Sequence, residues 1–570
     1  MKGRPPAGRV VTLFVAFALA LTGVAARLVV LHVRDATTYE ALADAQRIRR
    51  IELPAERGTI YDRSMRELAL SLPARAIYAD TRILSDPITA AAAIAPILEV
   101  PREELIPLLL SGDPFVYLAR RVDLSVAKRV ERLGITGIGL LDETKRYYPG
   151  GSLASQLLGF VGLDGAGLEG VELEYQDVLA GSAGNMIIEQ DPNGLTIPQG
   201  SEAISEPARG GDLVLTIDSS IQFHSEQALE EAVRRNGAKG GLVIVLEPSS
   251  GDVLAMATAP GFDANAFGEA DIAIRRNRSV TDVYEPGSVN KVITAAAAVE
   301  EGVIGLRERL SVPDRYRVAD RWFHDSHTHP TLPMTLTDVI AESSNVGTIM
   351  TAERLGKERL DDYLRAFGFG RETGIGLPGE ADGILMQQDE WWGTSMGTIP
   401  IGQGIAVTPL QMASVFATIA NDGVRVTPRL VQGTVGEGGD LVSAPEPERT
   451  PVVSPSTADV VTGMLAQAVE TGTGLEAQVP GYWVAGKTGT ARKPLEDQLG
   501  YSDQYVASFI GFAPAADPAI VVAAILDEPE TVYGGIASAP LFRDVASFAL
   551  AHLRVPTADP PPVPPTLIKG

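Results

Sequence analysis

YEPGSVNK, Tyr284 to Lys291, runs directly into the apolar helical pattern VITAAAAVEEG, and the rest of the chain is read outward from this junction. Pro286 and Gly287 mark a turn, which places Ser288 at or near a helix N-terminus. Ser288 and Lys291 are three residues apart, so a helix holds them on one face within hydrogen-bonding reach. A serine hydroxyl is a poor nucleophile until a base takes its proton. A lysine can be that base only if burial or a second cation pulls its pKa down. The Ala-rich helix supplies burial; the second cation must be sought further along the chain. Alone, S-x-x-K is a weak signal, because a surface Ser and Lys at helical spacing are common.

Two further motifs give Ser288 company. SSN, Ser343 to Asn345, follows the helical stretch LTDVIAE, and GKTGTA, Gly486 to Ala491, follows the strand-like YWVA. Lys487 is the second cation that could depress Lys291, and it could also hold a substrate carboxylate. Ser343 can relay a proton and Asn345 can donate to a substrate amide. Thr488 and Thr490 offer hydroxyls, and Gly489 lets a peptide backbone approach the strand edge. Each motif alone is incidental; three in this order are far more specific.

At 570 residues the chain has room for more than one domain, and its net charge of -24 argues against a general nucleic-acid binder. It has no cysteine, which excludes disulfides, thiolate metal sites and cysteine nucleophiles. Val10 to Ala26 is almost wholly apolar and the pattern resumes after Arg27 with LVVLHV, long enough to cross a bilayer with Arg27 snorkelling near the outer end. No clean cleavage site precedes a polar start, so an uncleaved anchor is expected rather than a signal peptide. The leading MKGRPPAGR has three cations and no acid, which predicts a cytoplasmic N-terminus with the bulk of the chain outside the cytoplasm.

Asp35 to about Arg50 reads as a polar helix, RGTIYDRSMRELA (Arg57 to Ala69) as strand and turn, and Pro73 to about Val130 as alternating helical patterns. Pro, Gly and Ser cluster from Pro198 to Gly211 as a linker. Beyond it come DLVLTIDSSIQ as a strand, HSEQALEEAVRR as a helix, and GGLVIVLEPSSGDVLAMATAP as two strands joined by a turn. YVASFIGFAP and AIVVAAILDE read as another antiparallel pair. Between these hairpins lies a mostly helical insert, Val292 to about Ala477. Strands at both ends with helices between them make an α+β architecture. The tail from Pro556 is Pro-rich.

S-V-N-K, S-S-N and K-T-G resemble the three active-site motifs of penicillin-binding proteins and serine β-lactamases. RGTIYDR, RYYPGG and GLEGVELEYQ resemble the pedestal motifs of the monofunctional class B penicillin-binding proteins, and VTDVYEPGSVNK, IAESSNVGTIM, IPIGQGIAVTPLQ and VAGKTGTA are most similar to the septal, cell-division branch. The resemblance implies a transpeptidase domain with a central antiparallel sheet flanked by helices, preceded by one transmembrane helix and an elongated mixed α/β pedestal. The implied divisions are a cytoplasmic tail (1–9), an anchor (10–33), a pedestal or dimerisation-type domain (34–205), the transpeptidase domain (206–555) and a C-terminal tail (556–570). It implies peptidoglycan D,D-transpeptidation with no cofactor and no metal. Ser288 attacks the D-alanyl-D-alanine carbonyl, Lys291 is the acylation base, and Ser343 and Asn345 assist proton transfer and positioning. Lys487 and Thr488 bind the terminal carboxylate, Gly489 admits the peptide, and the N–H groups of Ser288 and Thr490 form the oxyanion hole. Implied partners are stem peptides, β-lactams, a membrane glycosyltransferase of the SEDS family and other divisome proteins, at the cell's inner or plasma membrane. A hydrolase of the same fold (a D,D-carboxypeptidase, or a β-lactam-hydrolysing or sensing protein), an elongation-type transpeptidase and a chiefly structural role stay open. The chain departs from the pattern at Asn290, where a bulky apolar or aromatic residue is usual, and at Met65, where glycine is.

Three competing patterns have weaker support. GYWVAGKT (Gly481 to Thr488) matches a P-loop, with AILDE (Ala524 to Glu528) as a Walker B strand, but its loop positions read as strand and no helix follows the lysine. GTSMG (Gly393 to Gly397) matches a hydrolase elbow but reads as a Gly-rich loop without a preceding strand. His324, Asp325, His327 and His329 could hold zinc, but spacings of three and two in a loop favour polar packing near the active site.

Overall fold

The computed structural model describes residues 7–34, 48–113, 115–189, 202–436, 438–495 and 500–557. Residues 35–47 of the expected polar helix, 198–201 of the linker and 558–570 of the tail lie outside the described residues. The chain forms two compact units.

The first unit comprises Met1–Glu56 and Gly181–Gly210. Its helix Ala7–Val29 runs on through a π turn, Val30–Arg34, and none of the helix's side chains is buried. The apolar span Ala7–Val33 has 27 residues, about 40 Å of helix against the ~30 Å of a bilayer core. Thr12 and Thr22 donate their hydroxyls to the Gly8 and Ala18 carbonyls at 2.8 Å, so neither needs water. The unit also holds a three-stranded antiparallel sheet in which Gly184–Glu189 lies between Ile48–Leu53 and Glu202–Ser205. Two expectations change here. Ile48 to Arg50 belong to a strand, not to the end of a polar helix, and Glu202–Ser205 within the linker is a strand as well.

The second unit comprises Arg57–Ala180 and Gly211–Gly570. Near its start, the strand Glu67–Ala79 pairs with Val116–Asp123 and Ile138–Tyr147, and helices Pro87–Leu98, Arg102–Leu109 and Leu124–Glu131 pack against it around Ile77 through Ile94, Leu105 and Val130. The helical reading from Pro73 is corrected at both long strands. The register shifts in the first pairing put the extra residues on Val116–Asp123, where Arg121 takes φ +54, so the alternation that marks a strand in sequence is broken there. Glu67–Ala79 pairs one-to-one with Ile138–Tyr147, and Pro73 is what argues against a strand in its sequence. Through Ile60–Tyr61 this sheet continues into Asp212–Leu215, Val431–Val435 and Leu441–Ser443, making seven strands.

Three sequence motifs before residue 181 meet at a buried charge cluster. Glu172, fully buried, takes Arg57 Nε at 2.6 Å and Arg146 Nε at 2.7 Å on its two oxygens, with the Tyr148 hydroxyl at 3.3 Å. Arg57 also donates to Gln176 Oε1 at 2.7 Å and Arg146 to the Gly58 carbonyl at 2.7 Å. RGTIYDR, RYYPGG and GLEGVELEYQ each place a charged residue in this cluster. Met65 adopts φ +64, where glycine would be unstrained, and Asp62 Oδ1 accepts from the Ser64 and Arg66 N–H groups to hold the turn.

A five-stranded antiparallel sheet organises the remainder, in the order Val253–Ala259, Gly240–Leu246, Ile520–Asp527, Tyr501–Ala513, Ala485–Pro494. Both hairpins expected from sequence are present. Leu242, Ile244 and Leu246 face one core while Val243 and Val245 face the other, the period-two pattern of a sheet buried on both sides. Helices Ser219–Arg235 and Ala539–His552 cover the second face. Lys291–Glu300, Pro409–Ala420 and Pro455–Glu470 contribute to the core on the first. The region Val292 to Ala477 is less helical than expected: it also holds two short antiparallel strand pairs within residues 310–334, one of them a hairpin, and strands between 424 and 451.

Candidate active site

Ser288 lies in a 3-10 turn, Gly287–Asn290, that leads straight into the helix Lys291–Glu300. The turn is placed by its neighbours. The Gly287 N–H donates to the Gly402 carbonyl at 3.0 Å, and Thr294 Oγ1 donates to the Pro400 carbonyl at 3.2 Å. Gly402 has φ +77, and a Cβ there would sit 2.2 Å from the Gly287 carbonyl oxygen, so the close approach needs glycine. Asn290 is fully buried and donates Nδ2 to the Ile399 carbonyl at 2.8 Å, while its Oδ1 has no partner. The departure at Asn290 thus serves as a tether to the Ile399–Gly402 loop.

Lys291 is completely buried. Its Nζ donates to the Ser343 carbonyl at 2.6 Å, to Ser343 Oγ at 3.3 Å and to Asn345 Oδ1 at 2.8 Å. Burial, with a smaller push from the Lys487 charge, holds Lys291 well below the usual lysine range, and Asp325 opposes that shift. A lysine lowered in this way can be neutral near neutral pH and accept a proton.

The SSN turn is built for this contact. Ser343 sits in the left-handed region at φ +59, between the helices Leu336–Ala341 and Asn345–Leu355, and presents its carbonyl to Lys291. Asp325 secures the turn: Oδ2 accepts from Ser344 Oγ at 2.7 Å and lies 3.0 Å from His329 Nε2, and Oδ1 accepts from the Val346 N–H at 2.9 Å. Asn345 Nδ2 donates to the His324 carbonyl at 2.9 Å. Asp325, His329 and the His324 backbone are therefore packed against the SSN motif. Among the described residues no group of three His, Cys, Asp or Glu side chains is arranged to hold a metal.

Lys487, Thr488, Gly489 and Thr490 lie on Ala485–Pro494, an edge strand of the five-stranded sheet. The strand expected at YWVA begins instead at Ala485, so the lysine and threonine are mid-strand and cannot cradle a phosphate at a helix start. A Cβ at Gly489 would meet Ser508 Oγ at 2.2 Å and the Pro286 carbonyl at 3.2 Å, which shows how closely this strand abuts the Ser288 turn. Lys487 is buried and has no carboxylate partner among the described residues; burial lowers its pKa to about 7. Its contacts are with Thr488, the carbonyl at 3.5 Å and Oγ1 at 3.4 Å, and Thr488 Oγ1 pairs with Thr473 Oγ1 at 2.8 Å. Thr490 Oγ1 accepts from the Gly534 N–H at 3.3 Å. Ser395 of GTSMG is buried and accepts from the Trp392 N–H at 2.9 Å, with no strand leading into it.

Two functional candidates escaped the motif reading. Asp325 is read from sequence only as part of a loop cluster packing near the active site, with no role assigned to it; the structure shows its carboxylate holding the SSN turn. Glu285, whose Oε1 accepts from the Gly404 N–H at 2.8 Å and from the Tyr501 hydroxyl at 3.0 Å, ties the residue before Pro286 to the glycine loop and to the sheet. Both act across more than a dozen residues of chain, and no local pattern marks such contacts. Together the groups place Ser288 and the buried Lys291 beside an edge strand that carries a second buried lysine, the parts that acyl transfer from a peptide bearing a terminal carboxylate requires.

Residues 241–547 match the penicillin binding protein transpeptidase domain, and residues 52–215 match the penicillin-binding protein dimerisation domain. The penicillin-binding protein PbpB of Mycolicibacterium smegmatis is 37% identical over 90% of this chain and 85% of its own. The peptidoglycan D,D-transpeptidase FtsI of Escherichia coli is 33% identical over 90% of this chain and 86% of its own. The crystal structure of penicillin binding protein 3 from Mycobacterium tuberculosis, complexed with aztreonam, superposes with a TM-score of 0.71 at 34% identity, covering 90% of this chain and 99% of that one.

Proposed function

The chain belongs to the class B penicillin-binding proteins, and with that as the premise we propose that Ser288 is the nucleophile of its peptidoglycan D,D-transpeptidation. The enzyme is of septal type, in line with its PbpB and FtsI relatives. The observation that supports the site assignment is the fully buried Lys291, three residues from Ser288, with Nζ hydrogen-bonded to Ser343 and Asn345.

In the proposed sequence a donor stem peptide lies along the Ala485–Pro494 edge, its terminal carboxylate against Lys487 and Thr488. The approach of that anion favours the charged form of Lys487, reversing the effect of burial. Neutral Lys291 takes the Ser288 proton as Oγ attacks the penultimate D-alanine carbonyl, and the N–H groups of Ser288 and Thr490 stabilise the oxyanion. Collapse breaks the C–N bond, and the departing D-alanine amine takes a proton through Ser343 and Lys291. An acceptor amine then attacks the ester; a C–N bond forms, the C–Oγ bond breaks, and one amine proton returns to Oγ. A β-lactam enters the same first step and stays on Ser288.

In this reading Ala7–Val33 is the anchor, with the N-terminus cytoplasmic and the catalytic region outside. Residues 34–205 form the pedestal, 206–555 the transpeptidase domain, and the partners include a SEDS-family glycosyltransferase and divisome proteins. Labelling with a fluorescent penicillin tests the assignment: the wild type forms a covalent adduct and Ser288→Ala does not. Absence of an adduct on folded wild type, or its persistence in Ser288→Ala, refutes it.

A further inference from the structure

Ser343 and Asn345 stand on one side of Lys291, and beyond them is a hairpin the catalytic motifs do not use. Arg315–Val318 pairs with Arg321–His324, Arg315 opposite His324 and Arg317 opposite Trp322. Its underside is fixed: Val318 and Phe323 are buried with Ile349 and Ile401. Alternation therefore turns Arg315, Arg317, Trp322 and His324 outward, and all four are exposed. The Arg315 guanidinium lies over the Trp322 ring at 5.1 Å, which leaves its N–H groups to solvent. In a chain with 72 acidic residues, no carboxylate among the described residues pairs with Arg315, Arg317 or Arg321. The hairpin is joined to the active site, since the His324 carbonyl accepts from Asn345 and the next residue, Asp325, holds Ser344 and Val346. The turn carrying Trp392, 75% exposed, abuts the hairpin at Ala319.

We propose that this cationic and aromatic face is the subsite for the acceptor stem peptide, binding its free carboxylates through Arg315 and Arg317 with Trp322 as the apolar contact. The inference rests on the transpeptidase reading and deepens it. The donor's carboxylate is taken by Lys487 on the edge strand, so the second peptide must come from elsewhere, and the SSN side is the neighbouring wall with unpaired positive charge. Guanidinium groups match carboxylates in geometry as well as charge. An amine carried in from this side meets the Ser288 ester next to Ser343, which can pass on its proton.

The test uses the full-length protein in detergent, a D-alanyl-D-alanine pentapeptide donor, and an acceptor tetrapeptide with free carboxylates or with those groups amidated. Arg315→Glu/Arg317→Glu raises KM for the carboxylate acceptor about tenfold with little change in kcat, and leaves KM for the amidated acceptor in place. Arg315→Lys/Arg317→Lys keeps the charge and stays within about threefold of wild type. Raising salt to about 0.5 M raises the wild-type KM for the carboxylate acceptor. An unchanged KM in the reversal variant, or an equal loss with both acceptors, overturns the proposal. Loss of binding to anionic phospholipid vesicles with acceptor kinetics intact would assign the face to lipid and overturn it too. Penicillin acylation of the wild type separates the two levels: its failure removes the transpeptidase reading, while normal acylation without an acceptor effect removes only the hairpin subsite.

Discussion

Replacing Lys487 by methionine should make the protein more stable and less active at once. Lys487 is 1% exposed and its pKa is lowered to about 7 by burial alone, with no carboxylate beside it. An unfolded lysine keeps its ordinary value near ~10.4. The unfolded chain therefore binds more protons than the folded one across the window from about pH 7 to about pH 10.4, and stability from this group rises with pH through that window. Below about pH 7 both states are protonated and the whole penalty is present, roughly 5 kcal/mol on the scale of about 1.4 kcal/mol per pKa unit. At pH 9 about 2 kcal/mol of it remains. Lys487→Met removes the charge while nearly matching the volume, so its thermal midpoint should exceed wild type by about 5 °C at pH 6, with the gap closing toward pH 9. The same change deletes the partner for the donor carboxylate, and kcat/KM for peptide donor should drop on the order of 10²-fold or more. Differential scanning fluorimetry from pH 6 to pH 9, with acylation kinetics on the same samples, reads both. A variant no more stable than wild type at pH 6, or a stability gap that does not narrow with pH, would refute the argument that a desolvated lysine is held in place for function.

Asp325→Ala should slow penicillin acylation about 10- to 100-fold by releasing the SSN turn. Because the Asp325 charge raises the Lys291 pKa, the acid limb of the acylation profile should also move to lower pH, a shift that simple loss of structure would not produce. Arg57→Ala leaves Glu172 buried with half its pairing gone and should destabilise by roughly 3–5 kcal/mol in thermal or denaturant unfolding, whereas the acylation rate of the folded fraction stays within about twofold. Met65→Gly relieves a left-handed backbone and should stabilise by about 1 kcal/mol, read as a small rise in thermal midpoint. Asn290→Leu loses the bond to Ile399 but also removes an unpartnered buried oxygen, so stability should change by less than about 1.5 kcal/mol and penicillin should still acylate Ser288.

What the sequence discloses about this site follows from distance along the chain. Ser288 and Lys291 are read from a turn signal and helical spacing, and Lys487 from a motif on an edge strand. Leu242 to Leu246 and Val521 to Leu526 are continuous apolar runs bounded by turns, so both hairpins are legible. Glu67–Ala79 and Val116–Asp123 are not, because Pro73 argues against a strand in the first and the extra residues at the register shifts break the alternation of the second. Asp325 and Glu285 are carboxylates among 72 acidic residues, and only the folded chain shows that one grips Ser344 and the other Gly404 and Tyr501. The charge cluster at Glu172 is partly foreshadowed by Arg57, Arg146 and Glu172 falling in the three pedestal-like motifs, yet nothing local says that they meet.

The seven-stranded sheet bears on how this gene can be cut. Ile60 and Tyr61 pair with Leu213 and Val214, so the strand Asp212–Leu215 has its neighbour far upstream in the chain. A fragment starting near residue 211 would leave Leu213 and Leu215 without a covering strand and an open hydrogen-bonding edge, a template for aggregation. The smallest soluble catalytic piece should therefore begin before Arg57. The segments around residues 60 and 213 therefore cannot be exchanged one without the other, because each completes the sheet that holds both.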